Sequence, residues 1–301
     1  MKITLGQTYS FLQLGKRKNQ EDARLPDCDV PTKGQRFFAV CDGVGGSSMG
    51  EVASRTVCET LAKKLEIFDF SQDFTNADFS RFLGNAWDAL DRVADKLGYD
   101  MATTLTFAAF HAEGVTLAHI GDSRIYQIRP SQGIIYRSDD HSLVNQLIHT
   151  GVITPEEAVN YPQRNIITRC MEAGVDLSDR NAATVLHTTD IQKGDYIFLC
   201  TDGVTGKISD EELVSIITSN VSDAEKIQQI STLCKDSSDN NTAILIPIEE
   251  VKKEDSIDNV ADNDANTLRL SSGIHAIEEV EPISQERKQG LFSYIKNKLF
   301  T

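Results

Sequence analysis

Residues 103–137 read TTLTFAAFHAEGVTLAHIGDSRIYQIRPSQGIIYR. Four stretches rich in β-branched and aromatic residues, Thr103 to Phe110, Val115 to Ile120, Arg124 to Ile128 and Ile134 to Arg137, are joined only by HAEG, GDS and RPSQG. Side chains of that kind favour strands, and connections that short join antiparallel neighbours, so the run predicts a meander. Further strand-like stretches lie at Ile3 to Leu14, Arg36 to Cys41, Ala183 to His187, Asp195 to Cys200 and Thr242 to Ile248. Two amphipathic helices interrupt them. In one, Phe79, Phe82, Leu83, Ala86, Trp87, Leu90, Val93, Ala94 and Leu97 recur at three and four residues; in the other, about Gly50 to Leu65, Ala53, Val57, Leu61 and Leu65 recur at four. Shorter helices fit Ser142 to His149 and Ser209 to Cys234. Meandering strands with paired long helices predict α+β layers rather than a doubly wound parallel sheet.

The chain has 301 residues, 40% hydrophobic and 25% charged, enough for a well-buried core, which excludes a collagen-like, coiled-coil or wholly disordered chain. Its 30 Lys and Arg stand against 45 Asp and Glu, a net charge of −15 that repels polyanions and argues against nucleic acid as partner. No apolar run approaches the roughly 18 residues of a membrane span, and MKITLGQTYSF lacks the features of a signal peptide. The expectation is a cytoplasmic protein with no stable membrane insertion. Six cysteines without CxxC spacing suggest neither zinc nor a disulfide framework, and they read as reduced and mostly buried. Composition shifts near Glu249, beyond which eleven acidic and seven basic residues accompany few long apolar side chains. The expected domain is therefore 1–248, with an acidic tail at 249–301. In that tail DNDAN at 262–266 does not continue as a calcium loop, and GLFSYIKNKLF forms a short amphipathic segment.

Acidic residues gather at strand ends: Glu21 and Asp22 in KRKNQEDA, Asp42 in AVCDGVGG, Asp202 in FLCTDGVTG and Asp239 in SSDNNTAILI. A carboxylate fixed at a strand end, with glycine behind it, suits a hard divalent cation. Asp-Gly after a strand is also a common turn, so each alone carries little. Together with Arg17, whose planar fork suits a phosphate, they favour a binuclear phosphoryl-transfer site. Asp122 in GDSR reads either as another acid of that site or as a residue capping its own turn, and spacing leaves both open.

The ordered set resembles the metal-dependent Ser/Thr protein phosphatases of type 2C, in their compact bacterial form. It comprises R-x-x-x-E-D at 17–22, DGxGG at 42–46 followed by GE-x-AS, TTL at 103–105, GDSR at 121–124, DHSL at 140–143, TDG at 201–203 and DN-x-T at 239–242. The resemblance implies a four-layer α-β-β-α sandwich with two central antiparallel sheets. It implies two Mn or Mg ions, bridged by Asp42, with Asp202, Asp239 and the Gly43 carbonyl completing the protein ligands. Glu21 and Asp22 would hold metal-bound waters, Arg17 would bind the substrate phosphate, and Asp122 is a candidate for a third ion. The implied activity is hydrolysis of phosphoserine and phosphothreonine in proteins by a metal-activated water, opposing a cognate Ser/Thr kinase in signal transduction. The alternative is a catalytically weak member that binds phosphoproteins or regulates a partner. Nothing in the sequence demands more than a monomer.

Three positions depart from the pattern. Val44 stands where many eukaryotic members carry a histidine, leaving protonation of the leaving group to water. Gly206 stands where an acid is common, which leaves a third ion weakly held or absent. Met101 and Ala102 replace a glycine-rich entry to TTL. The segment 141–173 matches the family's flap, expected to select the phosphoprotein. Of the six histidines, His141 is the best placed, and the others read as ordinary strand or surface residues.

Overall fold

Alternating apolar side chains build two antiparallel sheets, stacked face to face between helices, in the computed structural model, which describes residues 1–44, 49–158, 160–180 and 183–252. The DNDAN segment and the GLFSYIKNKLF end lie outside the described residues. The strands are β1 (Lys2–Leu5), β2 (Tyr9–Gln13), β3 (Asp22–Leu25), β4 (Phe37–Asp42), β5 (Ala102–Thr103), β6 (Leu105–His111) and β7 (Gly114–Ile120). They continue with β8 (Arg124–Arg129), β9 (Gly133–Arg137), β10 (Met171–Glu172), β11 (Thr184–Thr188), β12 (Tyr196–Cys200) and β13 (Asn241–Lys252). The helices are α1 (Gly50–Leu65), α2 (Asn76–Leu97), α3 (Leu143–His149), α4 (Pro155–Ala158), α5 (Asp202–Thr205), α6 (Asp210–Ile217) and α7 (Asp223–Cys234). One sheet has the order β11-β7-β6-β4-β3; the other has β1-β13-β12-β8-β9, with β2 also paired to β13.

Three apolar layers make this a four-layer α-β-β-α sandwich, the α+β layering that the sequence predicts in the form that the resemblance implies. Phe38, Val40, Phe110, Leu117, Ile125, Leu199, Ile244 and Ile246 fill the space between the sheets. Val57, Leu61, Phe82, Trp87 and Leu90 from α1 and α2 meet Phe107 and Ile120 of the first sheet, while Leu213, Ile217, Ile227 and Ile230 from α6 and α7 meet Phe198 and Leu245 of the second. Each such side chain, fully buried, contributes about 1.5–3 kcal/mol. Helix α2 is started by a capping box at Thr75 and Asp78 and stopped by Gly98 in the left-handed conformation. Its buried Trp87 donates from Nε1 to the Glu172 carbonyl at 3.0 Å, tying the helix to β10.

Several expectations need correction. The meander is broken at GDS: β6 pairs with β7 and β8 with β9, but β7 and β8 belong to different sheets. Gly121, with φ +104°, turns the chain out of one layer and into the other, a conformation that a side chain would strain. The stretch Ile3 to Leu14 is two strands, because β13 carries Pro247, which has no N–H to continue the ladder; the Gly6 N–H instead donates to the Pro247 carbonyl at 2.9 Å. Ser209 to Cys234 is two helices, each opened by its own serine capping box, Ser209 with Glu212 and Ser222 with Glu225. Strand β3 is not among the strand-like stretches of the sequence, and β13 continues four residues past 248 to pair with β1.

Candidate active site

The site is built from both sheets. Asp22 opens β3 and is the direct cross-strand partner of Asp42, which ends β4. Asp202 follows β12 at the start of α5, Asp239 precedes β13, and Asp122 lies in the link that crosses between the sheets. Side chains from the motifs hold this frame. The Asp42 N–H donates to Thr104 Oγ1 at 2.9 Å, and its carbonyl accepts from Thr103 Oγ1 at 2.8 Å and the Thr104 N–H at 2.8 Å. Asp22 Oδ2 accepts hydroxyls from Thr201 at 3.0 Å and Thr242 at 2.7 Å. The TTL, TDG and DN-x-T threonines therefore act as clamps on two carboxylate-bearing strands.

Gly43 is there because of close approach: a Cβ on it would lie 2.4 Å from the Gly50 carbonyl carbon at the start of α1. Its N–H donates to the Glu21 carbonyl at 3.0 Å, which also accepts from Ser54 Oγ at 2.6 Å, so GE-x-AS fixes the loop that ends in Glu21 and Asp22. Asn240, 2% exposed, organises the same loop: its Oδ1 accepts the Glu21 N–H at 2.8 Å, and its Nδ2 donates to the carbonyls of Leu14 and Asn19 at 2.9 and 3.0 Å. The sequence reading quoted DN-x-T but assigned Asn240 no task. An asparagine beside a strand-end aspartate was the available signal.

Arg17, called as the phosphate grip, donates from its guanidinium to Asp239 Oδ2 at 2.6 Å, with its side chain 43% exposed. The hydrogen bond to Asp239 raises its pKa, and the charges of Glu21 and Asp42 reinforce this, which places all of them in one field. Among the described residues this is the one ion pair that reaches the five aspartates. Burial, with repulsion from neighbouring carboxylates, raises the pKa values of four of these aspartates: Asp42 well above the usual range, Asp202 upward, and Asp22 and Asp122 to about 7. Asp122 is brought in beside Asp202, and it also receives its own backbone N–H, so both sequence readings of GDSR have a counterpart. Arg124 pairs not locally but with Asp140, Nε to Oδ1 at 2.7 Å and NH2 to Oδ2 at 2.6 Å.

The donor set fits divalent cations. Asp22 Oδ1 and Asp202 Oδ1 are buried with no hydrogen-bond partner among the described residues, and the charges of Asp22, Asp202, Asp122 and Asp239 act against ionisation of Asp42. Among the described residues no three His, Cys, Asp or Glu side chains stand close enough to complete a metal site alone. The acids gathered here are carboxylates without Cys or His, a donor chemistry that suits Mg or Mn rather than a closed zinc site.

His141, at the start of the segment expected to be the flap, is tied to the frame. His141 takes the Gly121 N–H on Nδ1 at 3.1 Å, its own N–H donates to the Gly121 carbonyl at 2.9 Å, and Nε2 meets Thr184 Oγ1 at 2.9 Å. Its ring stacks on His119 at 4.5 Å, and burial pushes its pKa down to about 3. All six cysteines are free thiols; Cys41, Cys58, Cys200 and Cys234 are buried, Cys28 is exposed, and burial raises the thiols of Cys41 and Cys200 away from reactivity.

The four-layer sandwich superposes on that of a PPM Ser-Thr phosphatase, MsPP from Mycobacterium smegmatis, with a TM-score of 0.63 at 26% identity, covering 81% of this chain and 99% of that one. Residues 16–233 match the protein phosphatase 2C family. The chain is 31% identical to the protein phosphatase PhpP of Streptococcus pneumoniae over 79% of its own length and 96% of that protein's. The crystal structure of the serine/threonine phosphatase Stp1 from Staphylococcus aureus superposes with a TM-score of 0.69 at 29% identity, covering 83% of this chain and 98% of that one. The catalytic domain of the serine/threonine protein phosphatase PstP, solved in complex with two manganese ions, gives a TM-score of 0.64 at 26% identity, covering 83% and 100%. The chain belongs to the protein phosphatase 2C family and is an enzyme of the serine/threonine protein phosphatase type. No helix among the described residues is long and apolar enough to cross a membrane.

Proposed function

We propose that the aspartate cluster is the catalytic centre and that Asp42, Asp202, Asp239 and the Gly43 carbonyl hold two Mn or Mg ions there. The observation that carries this is the convergence of Asp22, Asp42, Asp122, Asp202 and Asp239 around buried oxygens that the protein leaves without donors. Two such ions, when bound, lower the pKa of a shared water and neutralise phosphoryl oxygens. The chain's own residues do the rest. Asp42, its backbone held by Thr103 and Thr104, is fixed between Asp22 and Asp202 and serves both positions. Asp22, its Oδ2 occupied by two threonine hydroxyls, turns the free Oδ1 inward to orient water, with Glu21 beside it. Arg17 lies half exposed at the rim and is free to exchange one carboxylate oxygen for the substrate phosphate, binding it through two N–H groups. Asp122 is the candidate for a third ion.

The reaction is hydrolysis of phosphoserine and phosphothreonine monoesters in proteins, with the flap 141–173 meeting the polypeptide and a kinase of the same cell supplying the substrate. A cytoplasmic, monomeric enzyme is the accompanying expectation. The test is Mn-dependent phosphate release from a phosphothreonine peptide, with Asp42→Ala and chelator as controls. Loss of activity in both is expected. A folded wild-type chain inactive in excess Mn and in excess Mg refutes the reading and leaves a phosphoprotein-binding role.

A further inference from the structure

Residues 14–20 (LGKRKNQ), 203–209 (GVTGKIS) and 235–238 (KDSS) carry five cations, Lys16, Arg17, Lys18, Lys207 and Lys235, against one acid, Asp236, in a chain of net charge −15. These segments, far apart in sequence, meet beside Asp202 and Asp239. The Lys16 N–H donates to the Ser237 carbonyl at 2.9 Å, and Ser237 Oγ donates to the Gly203 carbonyl at 3.0 Å. The Lys207 charge acts on the thiol of Cys234, the residue just before Lys235. All four lysines are exposed, and the lysine ion pairs among the described residues belong to others, Lys63, Lys226 and Lys252.

Exposed lysines are ordinary by themselves. Here they form a positive rim on an otherwise acidic molecule, next to the group proposed to act on the phosphate, and their loop is set in advance. Asn240 Nδ2 holds the carbonyls of Leu14 and Asn19, the residues on either side of 15–18, so little ordering is left for binding to cost. A nucleic acid would face repulsion from the rest of the surface, whereas a short acidic peptide touches the rim alone.

We propose that Lys16, Lys18, Lys207 and Lys235 read acidic residues next to the phosphorylated side chain, so that the substrates are acidic phosphoprotein segments. This rests on the proposed function and names its substrate class. The full chain, in excess Mn, is given p-nitrophenyl phosphate, a phosphothreonine peptide flanked by alanines, and the same peptide carrying three Asp or Glu. At low salt kcat/KM for the acidic peptide is expected to exceed that for the alanine peptide about tenfold. The ratio should shrink toward one in high salt and in the Lys18→Glu, Lys207→Glu, Lys235→Glu triple variant. A wild-type ratio of one or less at low salt, or a ratio the triple variant leaves unchanged, overturns the proposal while the phosphatase reading stands. No turnover of any of the three substrates overturns both.

Discussion

Replacing Asn240 by alanine isolates the residue that joins the two ends of the candidate site. The side chain makes three hydrogen bonds, to the Glu21 N–H at 2.8 Å and to the Leu14 and Asn19 carbonyls at 2.9 and 3.0 Å, from a position 2% exposed. A buried hydrogen bond contributes about 1 kcal/mol net, and a buried partner left unsatisfied costs about 1–3 kcal/mol. The Glu21 N–H would lose Asn240 Oδ1, its acceptor among the described residues, while the carbonyls of the surface loop regain some water, so the loss should be about 3–4 kcal/mol. In a domain of this size that lowers Tm by roughly 8–12 °C. Urea unfolding with chelator present measures it without metal linkage. Asn240→Asp keeps the acceptor for Glu21 but turns both donations into repulsions and adds a carboxylate to the cluster, so it should be no more stable than the alanine variant at pH 8. A loss below about 1 kcal/mol at unchanged m-value for Asn240→Ala would refute the assignment of Asn240 as the organiser of the loop.

Asp122, held at about 7 by burial and by Asp202, binds more protons folded than unfolded, so the metal-free chain loses stability as pH rises from about 4 through 7. Asp122→Asn should accordingly stabilise the chelated protein at pH 8, by an amount on the order of 3 kcal/mol, and leave it nearly unchanged at pH 4, as read by denaturant midpoints. Gly43→Ala forces a Cβ to 2.4 Å from the Gly50 carbonyl; thermal melts should show a loss of about 1–3 kcal/mol, with phosphate release falling more steeply because Asp42 moves with it. Adding Mn to chelated protein should raise Tm in proportion to the logarithm of its concentration, and Asp42→Ala should abolish that rise; a Tm indifferent to Mn would place the ions elsewhere.

What the sequence made legible was local. The spacing of Val57, Leu61 and Leu65 marked α1, and β-branched and aromatic residues marked β6, β7 and β12 close to their observed ends and β13 at its start. Acidic residues at strand ends, two of them, Asp42 and Asp202, followed by glycine, marked carboxylates that the fold brings together. What it hid was non-local. Residues 121–123 look like a hairpin link because three residues suffice for one, but Gly121 uses them to change sheets, and nothing within the segment records which layer comes next. The hydrogen bonds of Asn240 to Leu14, Asn19 and Glu21, and of Thr242 to Asp22, span more than two hundred residues, so no window along the chain contains both partners.

The crossing at Gly121 explains why the acids meet. Had β8 continued the first sheet beside β7, Asp122 would sit in a surface hairpin, and the aspartates of the two sheets would have no link between them. Because the chain changes layer there, Asp122 comes into the field of Asp202 from the second sheet, and its charge reaches Asp42 of the first. The threonine hydroxyls on Asp22 come from the opposite sheet as well, so the carboxylates are locked across the layers before any ion arrives. Holding like charges in this way costs folding free energy, and hydrogen bonds and apolar layers far from the site supply it. A site assembled at such a cost has its oxygens in place in advance, which is what a weakly chelating, water-rich centre needs if its ions are to be held by position rather than by number of ligands.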